Sequence, residues 1–222
     1  MNIFKLIKKH ILKTVKAFNP YSKVFFAQYA EDLILENIFI NKGNGFYVDI
    51  GANHPFRFSN TYSLYLKGWR GINIEPNPDL VKLFDIFRKR DINIQMGISD
   101  KSELLYYYQF DDSALNNFSE KKTNEILKNT KYKLIKKSKI ELKKLDYILE
   151  KYLPVNKIDF ISIDAETMDL KVLKSNDWKR FSPEYILIEK LSKSNEIDNF
   201  LTNRGYSVYC KMNKTNFYKK IK

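Results

Sequence analysis

Five short apolar runs in this chain each finish in or beside a carboxylate. They end Val48-Asp49-Ile50-Gly51-Ala52-Asn53, Ile74-Glu75, Gly97-Ile98-Ser99-Asp100, Ile163-Asp164-Ala165-Glu166 and Ile188-Glu189. A buried acid without a partner is costly, so acids gathered in this way imply a shared polar cleft. Gly51 and Ala52 are small enough to let a ligand approach the backbone. Glu75 follows Asp49 by 26 residues, a place where an acid can accept hydrogen bonds from ribose hydroxyls. A pyrophosphate matches poorly. It needs G-x-G-x-x-G and a helix start free of acids, and the sequence here is Gly51-Ala-Asn-His-Pro55. Carboxylates favour a ligand with positive charge and no phosphate. S-adenosylmethionine, with its sulfonium, ammonium, ribose and single carboxylate, meets that description.

Residues 46–50, 71–75, 92–98, 158–163 and 185–189 read as buried parallel strands. Helical patterns over 59–67, 79–90, 142–152 and 168–175 fit between several of them, and another covers 22–40 ahead of the turn cluster Lys42-Gly-Asn-Gly45. This alternation implies an α/β fold, an open sheet with helices on both faces. The ligand of such a sheet sits outside the carboxyl ends of its strands. Residues 102–110 and 133–140 alternate as a hairpin pair outside the parallel core, and the polar stretch 111–131 between them reads as a loop or mobile cap. Residues 206–211 and 215–220 read as a terminal antiparallel pair. The expected organisation is a basic amphipathic helix over 1–20 and a single domain over 21–222, with 101–141 as an insertion.

The 222 residues hold 39 lysines and arginines against 26 acids, a net charge of +13. Its distribution matters more than its size. Residues 1–18 carry +5, residues 121–151 carry +7 and residues 190–222 carry +6, leaving −5 for the rest. The strand-end cleft therefore lies in the acidic part of the chain. The segment 121–151 could be an electrostatic footprint for nucleic acid, but its lysines stand among few stacking aromatics, which argues against that partner. In residues 3–18, Ile3, Phe4, Ile7, Ile11, Val15 and Phe18 share one helical face, opposite Lys5, Lys9, Lys13 and Lys16. That helix can pack on the domain or make peripheral contact with an anionic membrane. It lacks the roughly 20 apolar residues of a spanning segment, and lysines interrupt any signal-peptide core. The expected location is cytoplasmic, with contact at the inner membrane surface through residues 1–18. Cys210 is the sole cysteine, so no intramolecular disulfide forms.

The sequence resembles the FkbM-type S-adenosylmethionine-dependent methyltransferases. The matching blocks are Gln28 with Glu31-Asp-Leu33, Phe46-Tyr-Val-Asp-Ile-Gly-Ala-Asn-His-Pro55, Ser59-Asn-Thr61, Gly68-Trp-Arg-Gly71 and Ile74-Glu-Pro-Asn-Pro78. Further on come Ile98-Ser-Asp100, Ile158-Asp-Phe-Ile-Ser-Ile-Asp-Ala-Glu166 and Leu173-Lys-Ser-Asn-Asp-Trp178. Together they cover roughly residues 25–190. The resemblance implies the class I methyltransferase fold, a Rossmann-like seven-stranded sheet with an antiparallel last strand. It also implies transfer mostly to oxygen, often on a sugar or a glycan-related small acceptor. One position departs from the pattern: where the family has Asp-x-Glu-Gly, this chain has Asp164-Ala-Glu-Thr167.

The resemblance assigns S-adenosylmethionine to Asp49, Gly51, Asn53, Glu75, Ser99, Asp100 and Asp164. Glu75 would hold the ribose, Asp49 would orient the loop or meet the ammonium, and Ser99 and Asp100 would flank the adenine. Transfer to an alcohol also needs a base for its proton, and the candidates are His54, Asp164 and Glu166. Two carboxylates without a nearby histidine make a sparse metal site, so divalent-metal dependence stays open. Two other functions compete. One is a nucleic-acid-binding protein or nucleic-acid methyltransferase using 121–151. The other is a catalytically weak, membrane-associated partner in a glycan pathway, motivated by Thr167 and the 1–18 helix.

Overall fold

The computed structural model describes residues 23–155, 157–189 and 194–221. The helix expected over residues 3–18 lies outside them. Chain order begins with α1 (Glu31–Ile38), β1 (Phe46–Ile50), α2 (Tyr62–Leu66), β2 (Arg70–Glu75), α3 (Pro78–Phe87) and β3 (Ile92–Gln95). The insertion follows: β4 (Gly97–Ile98), β5 (Glu103–Phe110), a short 3-10 turn at 113–115, α4 (Glu120–Asn129) and β6 (Leu134–Lys143). The chain closes with α5 (Leu145–Tyr152), β7 (Phe160–Ile163), α6 (Asp169–Lys174), β8 (Tyr185–Glu189), α7 (Glu196–Thr202), β9 (Tyr206–Lys211) and β10 (Thr215–Lys220).

Seven strands form one sheet in the order β3-β2-β1-β7-β8-β10-β9. All neighbours from β3 to β8 are parallel, and β10 runs antiparallel between β8 and β9. This is the α/β architecture expected from the alternating pattern, with the antiparallel last strand that the resemblance implied. Side chains alternate across each strand, which splits the core in two. Val48, Ile50, Ile72, Ile161 and Ile186 pack with α5 and α6 on one face. Tyr47, Phe160, Tyr185 and Leu187 pack with Leu35 of α1 and Leu64 of α2 on the other. Trp69 and Tyr65 are buried in that second layer, as packing residues of the first crossover.

Three boundaries differ from the sequence reading. The run 92–98 is not one strand. It leaves the large sheet after Gln95, and Gly97-Ile98 pair instead with β6 in a separate three-stranded sheet, β4-β6-β5. The helix expected over 22–40 is confined to Glu31–Ile38, because Ala30 takes a left-handed conformation with φ 66° that no continuing helix allows. The polar stretch 111–131 is not a loop. It holds α4, capped by Ser119, whose hydroxyl accepts from Lys122 N at 3.2 Å. Only Thr123 and Ile126 of α4 are buried, too few apolar contacts to leave a helical stripe in the sequence.

The first crossover is organised by one buried cation. Arg88, just beyond α3, is fully enclosed. Its Nε donates to Asp91 at 2.9 Å, Nη1 to the Pro55 carbonyl at 2.8 Å, and Nη2 to the Tyr47 hydroxyl at 2.6 Å and Thr61 Oγ1 at 3.0 Å. Asp91 also accepts from Gly71 N and Asn73 Nδ2. One guanidinium thus fixes β1, β2, the loop after β1 and the start of α2. Arg88→Met is expected to cost about 3–5 kcal/mol of unfolding free energy, since it strands Asp91 without its counter-ion. Urea denaturation measures the loss, and a change below about 1 kcal/mol would contradict this role.

Candidate active site

A cavity of about 310 Å³ opens at the carboxyl ends of β1, β2, β7 and β8, the size of a small-molecule site. Its walls carry Asp49, Gly51, Asn53, Glu75, Asp164 and Glu166 from the expected set. The insertion supplies Tyr107, Asn116, Phe118 and Lys122, and the loop after β1 supplies Phe58 and Asn60.

One end is built around Glu75. It is 3% exposed. Its Oε2 accepts from Asn53 N at 2.8 Å, and its Oε1 accepts from Asn77 N at 2.8 Å and the Tyr107 hydroxyl at 3.3 Å. Burial pushes its pKa up to about 7 against the pull of the two N–H donors. Asp49 is buried beside it and accepts from Thr61 Oγ1 at 2.9 Å. Desolvation also raises its pKa, with the Thr61 hydrogen bond and then the Arg88 charge opposing. Asn53 adopts φ 51°, and its Oδ1 is buried without a partner. Gly51 takes φ +72°, and a Cβ there would stand 1.8 Å from the Asp164 carbonyl oxygen. The glycine is required by this contact between neighbouring strand ends, a constraint of the protein itself rather than of a ligand.

The other end is acidic. One oxygen from each of Asp164, Glu166 and Glu189 lies within 4.8 Å of the others. Asp164 faces the open cavity, yet protein atoms crowd its carboxyl. That desolvation, then the charges of Glu189, Glu166 and Asp169, holds its pKa well above the ordinary carboxylate range. Asp164 and Glu189 interact through a hydrogen bond, so the proton affinity of each depends on the state of the other. Lys122 of α4 forms an ion pair with Glu166. An all-oxygen set of this kind suits a hard divalent cation, although Lys122 already neutralises one member. Thr215 at the start of β10 donates to Glu31 at 2.9 Å on the adjoining wall.

Three expected residues are not on the cavity wall. Ser99 is buried and donates to Glu103 Oε1 at 2.7 Å, and Asp100 is exposed beside it. The cause is the break after Gln95: the chain turns into the second sheet, leaving Met96, Gly97 and Ile98 to form the wall. His54 Nδ1 accepts from Arg57 N at 3.2 Å and Phe56 N at 3.4 Å. Desolvation, then the nearby Arg57, lowers its pKa. A neutral imidazole whose Nδ1 is an acceptor carries its proton on Nε2, so neither nitrogen is free to take a proton. His54 closes a turn. The residues that sequence reasoning missed are Tyr107, Asn116, Phe118 and Lys122. Their only signal was the run of polar and aromatic types in a segment already suspected of covering the site.

The family model described as Methyltransferase FkbM domain matches residues 49–208. No curated protein sequence matches the chain. Solved structures that align with it include three microbial proteins. Precorrin-8w decarboxylase from Methanobacterium thermoautotrophicum has 13% identity and TM-score 0.46, covering 91% of this chain and 95% of its own. Precorrin-6y C5,15-methyltransferase from Geobacter metallireducens has 11% identity and TM-score 0.44, covering 89% and 90%. The 1,6-didemethyltoxoflavin-N1-methyltransferase of Burkholderia thailandensis, solved with S-adenosylhomocysteine, has 7% identity and TM-score 0.44, covering 98% and 88%. Among the described residues no helix is long and apolar enough to cross a membrane.

Two predictions follow from the local geometry. Glu166 and Thr167 adopt φ 45° and 81°, and Thr167 pays for a branched side chain in left-handed backbone. Thr167→Gly is expected to raise stability by about 0.5–1 kcal/mol in denaturant titration, the relief of strain being partly offset by glycine's unfolded-state entropy. A loss of stability would mean that the Thr167 side chain makes a compensating contact. The second concerns Glu75. Its pKa rises from 4.5 in the unfolded chain to about 7 in the folded one, so the folded state holds the extra proton. Stability contributed by this group is complete below pH 4.5 and falls as pH rises to 7, by at most about 3 kcal/mol. Thermal melts of Glu75→Gln should show a shallower decline over that interval than the unmodified protein, and parallel curves would contradict the assignment.

Proposed function

The chain belongs to the FkbM methyltransferase family, and from that premise we propose that it transfers the methyl group of S-adenosylmethionine to a hydroxyl of a sugar or glycan-related small acceptor. The observation that carries the reading is the division of one cavity into two acidic ends. At the first, Glu75 places a carboxylate at the end of β2, held by Asn53 N and Asn77 N, a placement that suits ribose hydroxyls. Asp49 stands beside them as an anion suited to a cationic ligand. At the second, Asp164, Glu166 and Glu189 face a region also lined by Gln28, Asn60 and Lys214, with the ring of Phe58 exposed at its edge. Dense donors and acceptors around one aromatic face suit a polyhydroxylated acceptor.

The bound cofactor would supply an activated methyl on a positive sulfur. The chain's own residues would do the rest. Glu75, Asn53 and Asp49 fix the donor, and alignment of the two reactants supplies much of the acceleration. The acceptor hydroxyl must lose a proton as its oxygen gains carbon. Asp164 is the residue to take it, because a carboxylate with a raised pKa is a stronger base than an ordinary one. Glu189 then shares that proton through the hydrogen bond between them. Lys122 restrains Glu166 and limits the repulsion among the three acids.

Calorimetry with S-adenosylmethionine tests the donor half: the unmodified protein should bind, and Glu75→Ala should weaken binding at least about tenfold through loss of charge-assisted hydrogen bonds. No binding by the unmodified protein would end this reading. Mass spectrometry of candidate acceptors tests the other half. Asp164→Asn should lower transfer by about 10²-fold or more with S-adenosylhomocysteine affinity little changed, whereas unchanged transfer would remove Asp164 as the base.

A further inference from the structure

Strands β5 and β6 of the insertion pair antiparallel, with Tyr106 opposite Lys139, Tyr108 opposite Lys137 and Leu104 opposite Glu141. Side chains alternate along a strand, so the hairpin has two faces. Tyr107 belongs to the inner face and lines the cavity. Tyr106, its neighbour, belongs to the outer face and is 47% exposed. Leu104 lies two residues before it on the same face and is 58% exposed. Farther along β5, Ile126 of α4 packs on Tyr108 and Phe110, and that cover stops short of Tyr106. On β6, Ile135 precedes Lys137 by two residues and is 65% exposed. Lys137 Nζ lies 4.3 Å from the Tyr106 ring centroid and 5.0 Å from that of Tyr108, and Lys139 Nζ lies 5.5 Å from that of Tyr106.

The charge around these apolar side chains decides what can cover them. Lys131, Lys133, Lys136, Lys137 and Lys139 stand in one short run without an acid among them. All five are exposed, and among the described residues none of them forms an ion pair. Glu141, an acid on the outer face, is neutralised by Lys143 at 2.7 Å. A second copy of this face, or the segment 1–18 with its charge of +5, would bring like charges together. A nucleic acid meets the charge but needs stacking rings, where this face offers Leu104 and Ile135. Aliphatic side chains, a tyrosine with an apolar body and a polar tip, and lysines on long apolar stems suit the boundary between headgroups and acyl chains. We propose that the outer face of the β5–β6 hairpin docks on an anionic lipid bilayer, with Leu104, Tyr106 and Ile135 entering the interface and the lysines meeting the headgroup phosphates. Strand β5 then presents one side to the cavity and the other to the lipid. The docking face stands independently of the methyl-transfer reading.

The test uses the full chain with vesicles of equal parts phosphatidylcholine and phosphatidylglycerol, against vesicles of phosphatidylcholine alone. Cosedimentation should show at least about tenfold stronger binding to the anionic vesicles, weakening with added salt. Tyr106→Ser with Ile135→Ser removes apolar side chains, and Lys137→Gln with Lys139→Gln removes charges. Each pair should lower that binding at least about fivefold, with little change in melting temperature, because all four side chains are exposed. Residues 1–18 stay in every variant, so the difference reports the hairpin. A second readout is local: Ile135→Cys in a Cys210→Ser background, labelled with an environment-sensitive fluorophore, should shift its emission to the blue on anionic vesicles. No binding by the unmodified protein, unchanged binding by either pair of variants, or unshifted emission from protein that cosediments overturns the proposal. Blue emission before vesicles are added would mean that the chain covers this face itself, and overturns it as well. Binding to RNA or DNA that is tighter than to vesicles, lost with the lysines and kept without the apolar side chains, assigns the face to nucleic acid instead.

Discussion

The buried Arg88 guanidinium is the constraint on which the site depends. A cation without water needs oxygens for its N–H groups, and four different segments supply them, to four of the five: Asp91, the Pro55 carbonyl, Tyr47 and Thr61. Arginine is suited to this because its donors form a planar, rigid fork, and a lysine would reach one or two of them at best. The consequence travels outward. Thr61, held by Arg88, donates to Asp49 at the end of β1. Pro55, held by the same group, anchors the loop that carries Asn53 and Phe58 to the cavity. The charge of Arg88 also opposes the burial of Asp49, so the same residue that shapes the loop keeps an anion tenable beneath it.

The acids of the cavity are kept apart by different means. Glu75 is held by backbone N–H donors and by a hydroxyl from the insertion, which restrains a pKa that burial raises. Asp164 lies instead among Glu189, Glu166 and Asp169. Burial raises the pKa of both carboxyls, opposed at Glu75 by hydrogen-bond donors and reinforced at Asp164 by neighbouring negative charges.

Much of this was legible in the sequence. Strand ends marked by acids pointed to the edge of the sheet where the cavity opens, because apolar runs that end in a carboxylate have few other solutions in an open α/β fold. Asp49, Glu75, Asp164 and Glu166 reach the cavity for that reason. Ser99 and Asp100 do not, since a strand that changes sheets at Met96 leaves no mark in a continuous run of apolar residues. His54 was misleading because its role is a turn closure, decided by two backbone N–H groups. The insertion was visible as a hairpin, but the hydrogen bond that sets Asn116, from Phe110 N to its Oδ1, is one that no spacing encodes. The strain at Thr167 was foreshadowed only as a departure from a glycine.

The position of β10 has a consequence for how the molecule is made. This strand lies between β8 and β9, pairs with Tyr185–Glu189 along its length, and sends the Thr215 hydroxyl to Glu31, 184 residues earlier. The far side of β8 is therefore covered by a strand that also joins a residue far away in sequence. Until β10 docks, β8 presents an unpaired hydrophobic edge and the cavity lacks the wall that Thr215 supplies. Contacts of such sequence separation form slowly. An unpaired strand edge is also a template for pairing with another chain, so the docking of β10 both completes the cavity and removes the exposed edge of β8.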